Sequence, residues 1–214
     1  MLDLSEAAST PFSNLKRALV FFILSIPPLT IITFIWTSGY LYDCLTHTSA
    51  SKKGIPEWTG FWRIFLNGVL MIAVFAVCFT PGLGLYFISQ LGSFDGSNKA
   101  LQIIMQILSW AIIGIGSLIS SAAIVHAAKE DAWKEIFSFM NVGQLLKRLP
   151  FLQAWLIAIA ISTILYWGTI ALTPWMEKSI THLALFALGF GIITTYTSLF
   201  SITLFGQSAR ESES

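Results

Sequence analysis

The residues with the most obvious chemical potential are Ser120, Ser121 and His126, which share one short stretch of the chain. A serine nucleophile needs a base, and the base needs a third group to orient it. No such third group is visible, so the trio does not read as a hydrolytic centre. His126 alone is able to ligate a metal or a tetrapyrrole, but no second ligand stands at a matching spacing. It reads instead as an interfacial histidine, hydrogen-bonded locally. His47 and His182 are weaker candidates still. Cys44 and Cys78 have neither pairing nor metal-ligand spacing, and Cys78 sits in an apolar run as a small hydrophobe. No catalytic, cofactor-binding or metal residue is therefore expected, and the chain is not expected to be an enzyme.

The remaining polar landmarks have structural jobs within reach. Asp43 and Arg63 flank one loop and are expected to pair across its ends, an interaction worth about 1 kcal/mol if exposed. In Pro56-Glu57-Trp58, Pro56 fixes a turn, Glu57 caps the following helix and Trp58 anchors at an interface. A docking role for a partner protein is the alternative. The aromatic residues Trp58, Trp62, Trp133 and Phe137 are the candidates for it.

The elements that carry these residues are dictated by composition. Of 214 residues, 55% are hydrophobic and 11% charged, against roughly a quarter charged in soluble domains. That is too little charge to cover a soluble surface, so the apolar excess must face lipid. A net charge of +1 gives no field for nucleic acid. No cleavable signal peptide is evident, because the first apolar run is too long for a signal core. Five stretches reach the roughly 20 apolar residues needed to span a bilayer: 18–42, 64–91, 101–128, 151–173 and 180–206. They leave an N-terminal tail at 1–17, an amphipathic helix at 129–148 and a C-terminal tail at 207–214. The expected fold is all-α: a single integral membrane domain with about five transmembrane segments, arranged as two helix–amphipathic loop–helix repeats plus a final helix.

Pro27-Pro28 and Pro81 interrupt the first two segments. Their missing donors free carbonyls that Thr30, Thr33 and Thr80 stand close enough to satisfy. The first segment is expected to be a kinked span. The alternative is a re-entrant hairpin with Pro27-Pro28 at its tip. Basic residues orient the whole. The two long loops hold Lys52, Lys53, Arg63, Lys129, Lys134, Lys147 and Arg148, against Lys99 and Lys178 in the short ones. The long loops and the C-terminus are therefore expected on the cytoplasmic side of the cell membrane. Lys16 and Arg17 in the N-terminal tail obey the same rule only if the first segment is re-entrant.

The long loops resemble one another at an offset of roughly 80 residues. In both, a segment exits, an aromatic-rich amphipathic stretch follows, and a basic residue opens the next segment. A parallel repeat requires the first and third segments to run the same way, which favours the kinked span. In the second loop Trp133, Ile136, Phe137 and Met140 recur at helical spacing, with Glu130 and Lys134 paired on the other face. Such a helix is expected to lie in the headgroup plane; packing on the protein's own cytoplasmic face is the alternative. Gly39-Tyr40, Pro56-Glu57-Trp58, the Phe65–Gly68 stretch and the 128–139 stretch together resemble a family of prokaryotic membrane proteins catalogued as domain of unknown function 4013. The resemblance covers most of the chain, from the first segment into the fourth. Asp43 departs from it, standing where that family has a basic residue. The resemblance implies a membrane architecture and supplies no activity.

Packing signals complete the reading. Gly116 with Ser120, Ser117 with Ser121, and Ala187 with Gly191 are small-xxx-small pairs that let helix backbones approach. Thr194, Thr197, Ser198 and Ser201 share one face of the last segment and are expected to bridge helices rather than line a polar path. The segments hold no Asp, Glu, Lys or Arg, which counts against ion coupling and proton relay. The expected function is a non-enzymatic assembly or accessory component that packs with itself or with a partner membrane protein. The alternative is a passive carrier for an apolar or lipid-like molecule. Membrane lipid is a partner in either case.

Overall fold

A computed structural model describes residues 2–26, 29–91, 99–176 and 179–210. Among the described residues every regular element is helical. The helices are α1 (Leu4–Ser9), α2 (Leu15–Ser25), α3 (Leu29–Ser49), α4 (Phe61–Leu91), α5 (Lys99–Lys129), α6 (Phe139–Leu146), α7 (Leu149–Met176) and α8 (Ile180–Arg210). Short 3-10 turns occupy Thr10–Phe12 and Trp133–Phe137.

Among the described residues, four helices are long and apolar enough to cross a membrane: α4, α5, α7 and α8. Their apolar residues largely point outward. None of the most apolar stretch of α7 is buried within the fold, and Val77, Ile107, Ile164 and Ile180 are among the exposed large side chains. Water would penalise that arrangement at roughly 25 cal/mol per Å², whereas hydrocarbon does not.

The fifth expected span is two helices folded back on each other. Phe21 of α2 and Tyr40 of α3 have ring centroids 6.0 Å apart; on one continuous helix their Cα atoms would stand about 28 Å apart. The expected kinked span is thus replaced by the re-entrant alternative. The local cause is Pro27-Pro28. A residue before proline is driven out of the helical region, and Ile26 is extended, with φ −75° and ψ 126°. Pro28 has no N–H to offer the Leu24 carbonyl, and the Thr33 hydroxyl donates to that oxygen at 2.7 Å. Thr80 does not act this way, because it donates to Ala76 rather than to Val77, the acceptor that Pro81 leaves unpaired. The side chain of Thr30 lies outside the described residues. Gly206 of α8 meets Thr48, and Gly191 meets Phe22 and Ile26 beside the turn. Those two levels are about 22 Å apart along α8.

Both ends of the described chain and both long loops gather at one end of the bundle. Asp3 N–H donates to Gln207, and Arg210 Nε donates to the Thr48 carbonyl. Most of the core lies at this end, where Tyr42, Leu45, Ala122, Val125, Ala127, Phe151 and Leu204 interlock. Here α3 packs on α4, α5 and α8, and α7 packs chiefly on α8.

Helices α3 and α5 run in the same sense and finish in the same cap. Ser51 and Asp131 take positive φ, and the next residues, Lys52 and Ala132, donate back to His47 and Ala127. This is a Schellman motif repeated 80 positions apart. The neighbours differ, however: α3 and α4 touch backbone to backbone at Gly39 and Gly68, whereas α5 and α7 barely meet. The second cap also ends the expected 129–148 helix before it begins. That segment becomes the 3-10 turn followed by α6, and Trp133, Ile136, Val142 and Leu145 pack into the bundle's own core. Those four side chains cover the protein's own core.

Candidate functional site

The polar end of the bundle is held by two aromatic clasps and one buried polar chain. In the first clasp Trp58 stacks on Tyr40, with centroids 3.7 Å apart. The Tyr40 hydroxyl donates to the Pro56 carbonyl at 2.7 Å. Arg17 joins from α2, donating to the Ile55 carbonyl and pairing with Glu57 at 2.6 Å. Glu57 is thereby engaged with Arg17 rather than with the start of α4. In the second clasp Trp133 stacks on Tyr42 at 4.3 Å.

The polar chain ties α3, α4 and the second loop together. Arg63 Nη2 donates to Asp43 Oδ2 at 2.9 Å, and Asn67 Nδ2 donates to Asp43 Oδ1 at 3.0 Å. Trp133 Nε1 completes it, donating to Asn67 Oδ1 at 2.9 Å. Each member is reached because Gly39 and Gly68 let α3 and α4 touch: a Cβ on either glycine would collide with the facing helix's carbonyl. Asp43 is buried, while the Arg63 side chain is largely exposed. Burial pushes the Asp43 carboxyl above its usual value; Arg63 and Asn67 pull it part of the way back.

A family model described as Protein of unknown function (DUF4013) matches residues 20–174, well over half of the chain. The chain belongs to the DUF4013 family. No curated protein and no solved structure matches it. Asp43, Arg63, Asn67 and Trp133 all lie inside the matched range of this DUF4013 member.

The four docking candidates are placed unequally. Trp58 and Trp133 are half-buried and stacked on the chain's own tyrosines. Trp62 is exposed on the first turn of α4, edge-on to Phe61 and Phe65. The side chain of Phe137 lies outside the described residues. Of the packing candidates, Gly116 abuts the Cys78 carbonyl and Gly191 abuts Phe22. Ser120 is buried and donates to the Ser117 carbonyl. Ala187 is half-exposed on α8. The α8 hydroxyls of Thr197 and Thr203 bond to their own helix, at Ile193 and Leu199, instead of bridging helices. His126 differs from its expected role, since its Nε2 is buried without a hydrogen-bond partner among the described residues. Among the same residues no group of three His, Cys, Asp or Glu side chains stands together.

Asn67 and Tyr42 were not singled out by sequence reasoning. The available signal was an amide side chain in the first turns of an otherwise apolar span, 24 positions after Asp43. Chemically, the arrangement is a latch: it fixes the two loops to the helix pair and holds no exposed nucleophile.

The pH dependence of this DUF4013 latch follows from the direction of the Asp43 shift. A carboxyl raised in the fold binds its proton more tightly there than in the unfolded chain. Its stabilising contribution is complete below its ordinary value of 3.8 and disappears as pH rises through the folded value. Asp43→Asn keeps an acceptor for Asn67 without the buried charge. We expect it to melt at or above the wild-type temperature at pH 7, with the advantage shrinking as pH falls through the carboxylate range. Melting curves of both proteins across pH measure this. An advantage that grows on acidification would mean that the Arg63 pair outweighs burial.

Proposed function

We propose that this protein is a non-catalytic, multi-pass component of the cytoplasmic membrane that assembles with a transmembrane helix from a second copy or another membrane protein. One observation carries the reading. A groove of about 570 Å³ runs between α7 and α8, lined by Ile164, Leu172, Leu185, Phe190 and two glycines, Gly168 and Gly189. Gly39, Gly68, Gly82, Gly116 and Gly206 each face a neighbouring element at close range, and the open Gly84, Gly114 and Gly143 do not line this groove. A Cβ on Gly168 or Gly189 meets nothing within 4 Å. In a bilayer, small residues at a helix surface permit close helix approach. Exposed Trp62 extends the available surface at the polar end.

The distribution of Lys and Arg supports the orientation. With α2 and α3 as a hairpin, Lys16 and Arg17 join the long loops at the end that holds most of the basic residues, and that end is cytoplasmic. The matching caps of α3 and α5 support a reading of the chain as two related halves.

The test is the double variant Gly168→Leu with Gly189→Leu, purified in mild detergent. We expect wild type to run as a larger assembly, or to retain a partner, and the variant to run as a monomer with an unchanged melting temperature. An unchanged mass for the variant would overturn the reading. The apolar walls of the same groove favour a second reading, a passive carrier for a lipid-like molecule. Flux of such a molecule across liposomes, abolished by the same variant, would select it.

A further inference from the structure

A second cavity, of about 200 Å³, opens at the polar end where α5, α6 and α8 finish. Its walls are unlike those of the α7–α8 groove. They carry His126, Lys129, Arg148, Asn141, Gln144 and the exposed Glu130. Two atoms of these walls, His126 Nε2 and Arg148 Nη1, are buried with no hydrogen-bond partner among the described residues. A guanidinium nitrogen only donates, and enclosing it unpaired is costly. Arg148 Nη1 therefore calls for an acceptor, His126 Nε2 can donate to the same acceptor in the tautomer that carries its proton there, and the guanidinium charge favours an anion.

The basic residues are not needed to satisfy the end of α5. Its last carbonyls, those of His126, Ala127 and Ala128, already accept from the N–H groups of Glu130, Ala132 and Asp131. A metal ion is disfavoured by the same charges. The position is informative too: α5 ends here and α7 begins immediately after Arg148, so the cavity lies at headgroup depth. Basic pockets between membrane helices at that depth suit anionic headgroups.

We propose that this cavity binds a phosphate-bearing anion, either the headgroup of an anionic lipid or free phosphate. Arg148 supplies the planar fork and His126 the second buried contact. The site is independent of the α7–α8 groove, and the two readings stand or fall separately.

The experiment follows the melting temperature of the full chain in a neutral detergent during titration with three probes: dihexanoyl phosphatidic acid, inorganic phosphate and zwitterionic dihexanoyl phosphatidylcholine. We expect saturable stabilisation by phosphatidic acid or by phosphate, and none by phosphatidylcholine. Stabilisation by the lipid alone identifies a headgroup site; equal half-saturation with inorganic phosphate identifies a free-phosphate site. Arg148→Gln should raise the half-saturating concentration at least tenfold, and His126→Gln several-fold. Lys99→Gln, at the opposite end of α5, should leave it unchanged. If Arg148→Gln does not fold, Arg148→Lys keeps the charge without the fork and should bind more weakly than wild type. The proposal is overturned if neither anionic probe shifts the melt. It is equally overturned if the folded Arg148 variant and His126→Gln both bind as wild type does.

Discussion

Gly39→Ala and Gly68→Ala should each lower stability by about 3 kcal/mol or more, at the top of the range for overpacked sites. The cause is the contact between α3 and α4. A Cβ at Gly39 would collide with the Ile64 carbonyl, and one at Gly68 with the Ile35 carbonyl. These are backbone atoms of a hydrogen-bonded helix, so the new methyl has no flexible side chain to push aside. The helices would have to separate, and separation breaks the Asp43–Asn67 bond that lies beside the crossing. Melting in detergent should fall on the order of 10 °C for a chain of this size. Gly84→Ala is the matched control. It lies in the same helix, an added Cβ there meets nothing within 4 Å, and helix propensity alone favours the alanine by about 1 kcal/mol. Equal melting of Gly39→Ala, Gly84→Ala and wild type would refute the crossing.

Trp133→Ala should cost about 3 kcal/mol, the low end for a large aromatic truncation because the ring is only half-buried. It removes the stack on Tyr42 and leaves the Asn67 carbonyl oxygen enclosed without its donor. Trp133→Phe retains a ring against Tyr42 and loses the N–H, so it should cost about 1 kcal/mol. Trp62→Ala should stay within about 0.5 kcal/mol of wild type, because Trp62 is exposed. The series separates a structural Trp133 from a docking one. If Trp133→Ala melts like wild type yet releases a bound partner, the ring serves the partner and not the latch.

Much of this layout was legible in advance for identifiable reasons. The four long apolar helices were legible because a charge in hydrocarbon is expensive, so uncharged runs stand between residues such as Arg63, Lys129 and Lys178. The break at Pro27-Pro28 and the rescue by Thr33 were readable because both are local: a missing donor and a hydroxyl a few positions on. Asp43 and Arg63 were paired correctly because a single loop joins their helices and brings its two ends together.

What failed was the part that depends on neighbours. Pro27-Pro28 predicts a break whether the chain bends or reverses. Reversal depends on Phe21, Tyr40 and Trp58 meeting, and on Gly191 of distant α8 accommodating Phe22. A tryptophan at a loop edge has the same sequence signature whether it faces headgroups, a partner or a tyrosine ring, so the stacks of Trp58 on Tyr40 and Trp133 on Tyr42 were not legible.

Composition alone thus decided that four long helices would accept a hydrocarbon surround, because solvation by lipid acts on each segment separately. Tertiary structure alone decided that the first segment turns back, that Gly39 and Gly68 form the crossing, and that His126 and Arg148 share a cavity. Close approach and enclosure are properties of pairs of elements, and nothing within a single segment encodes which partner it will meet.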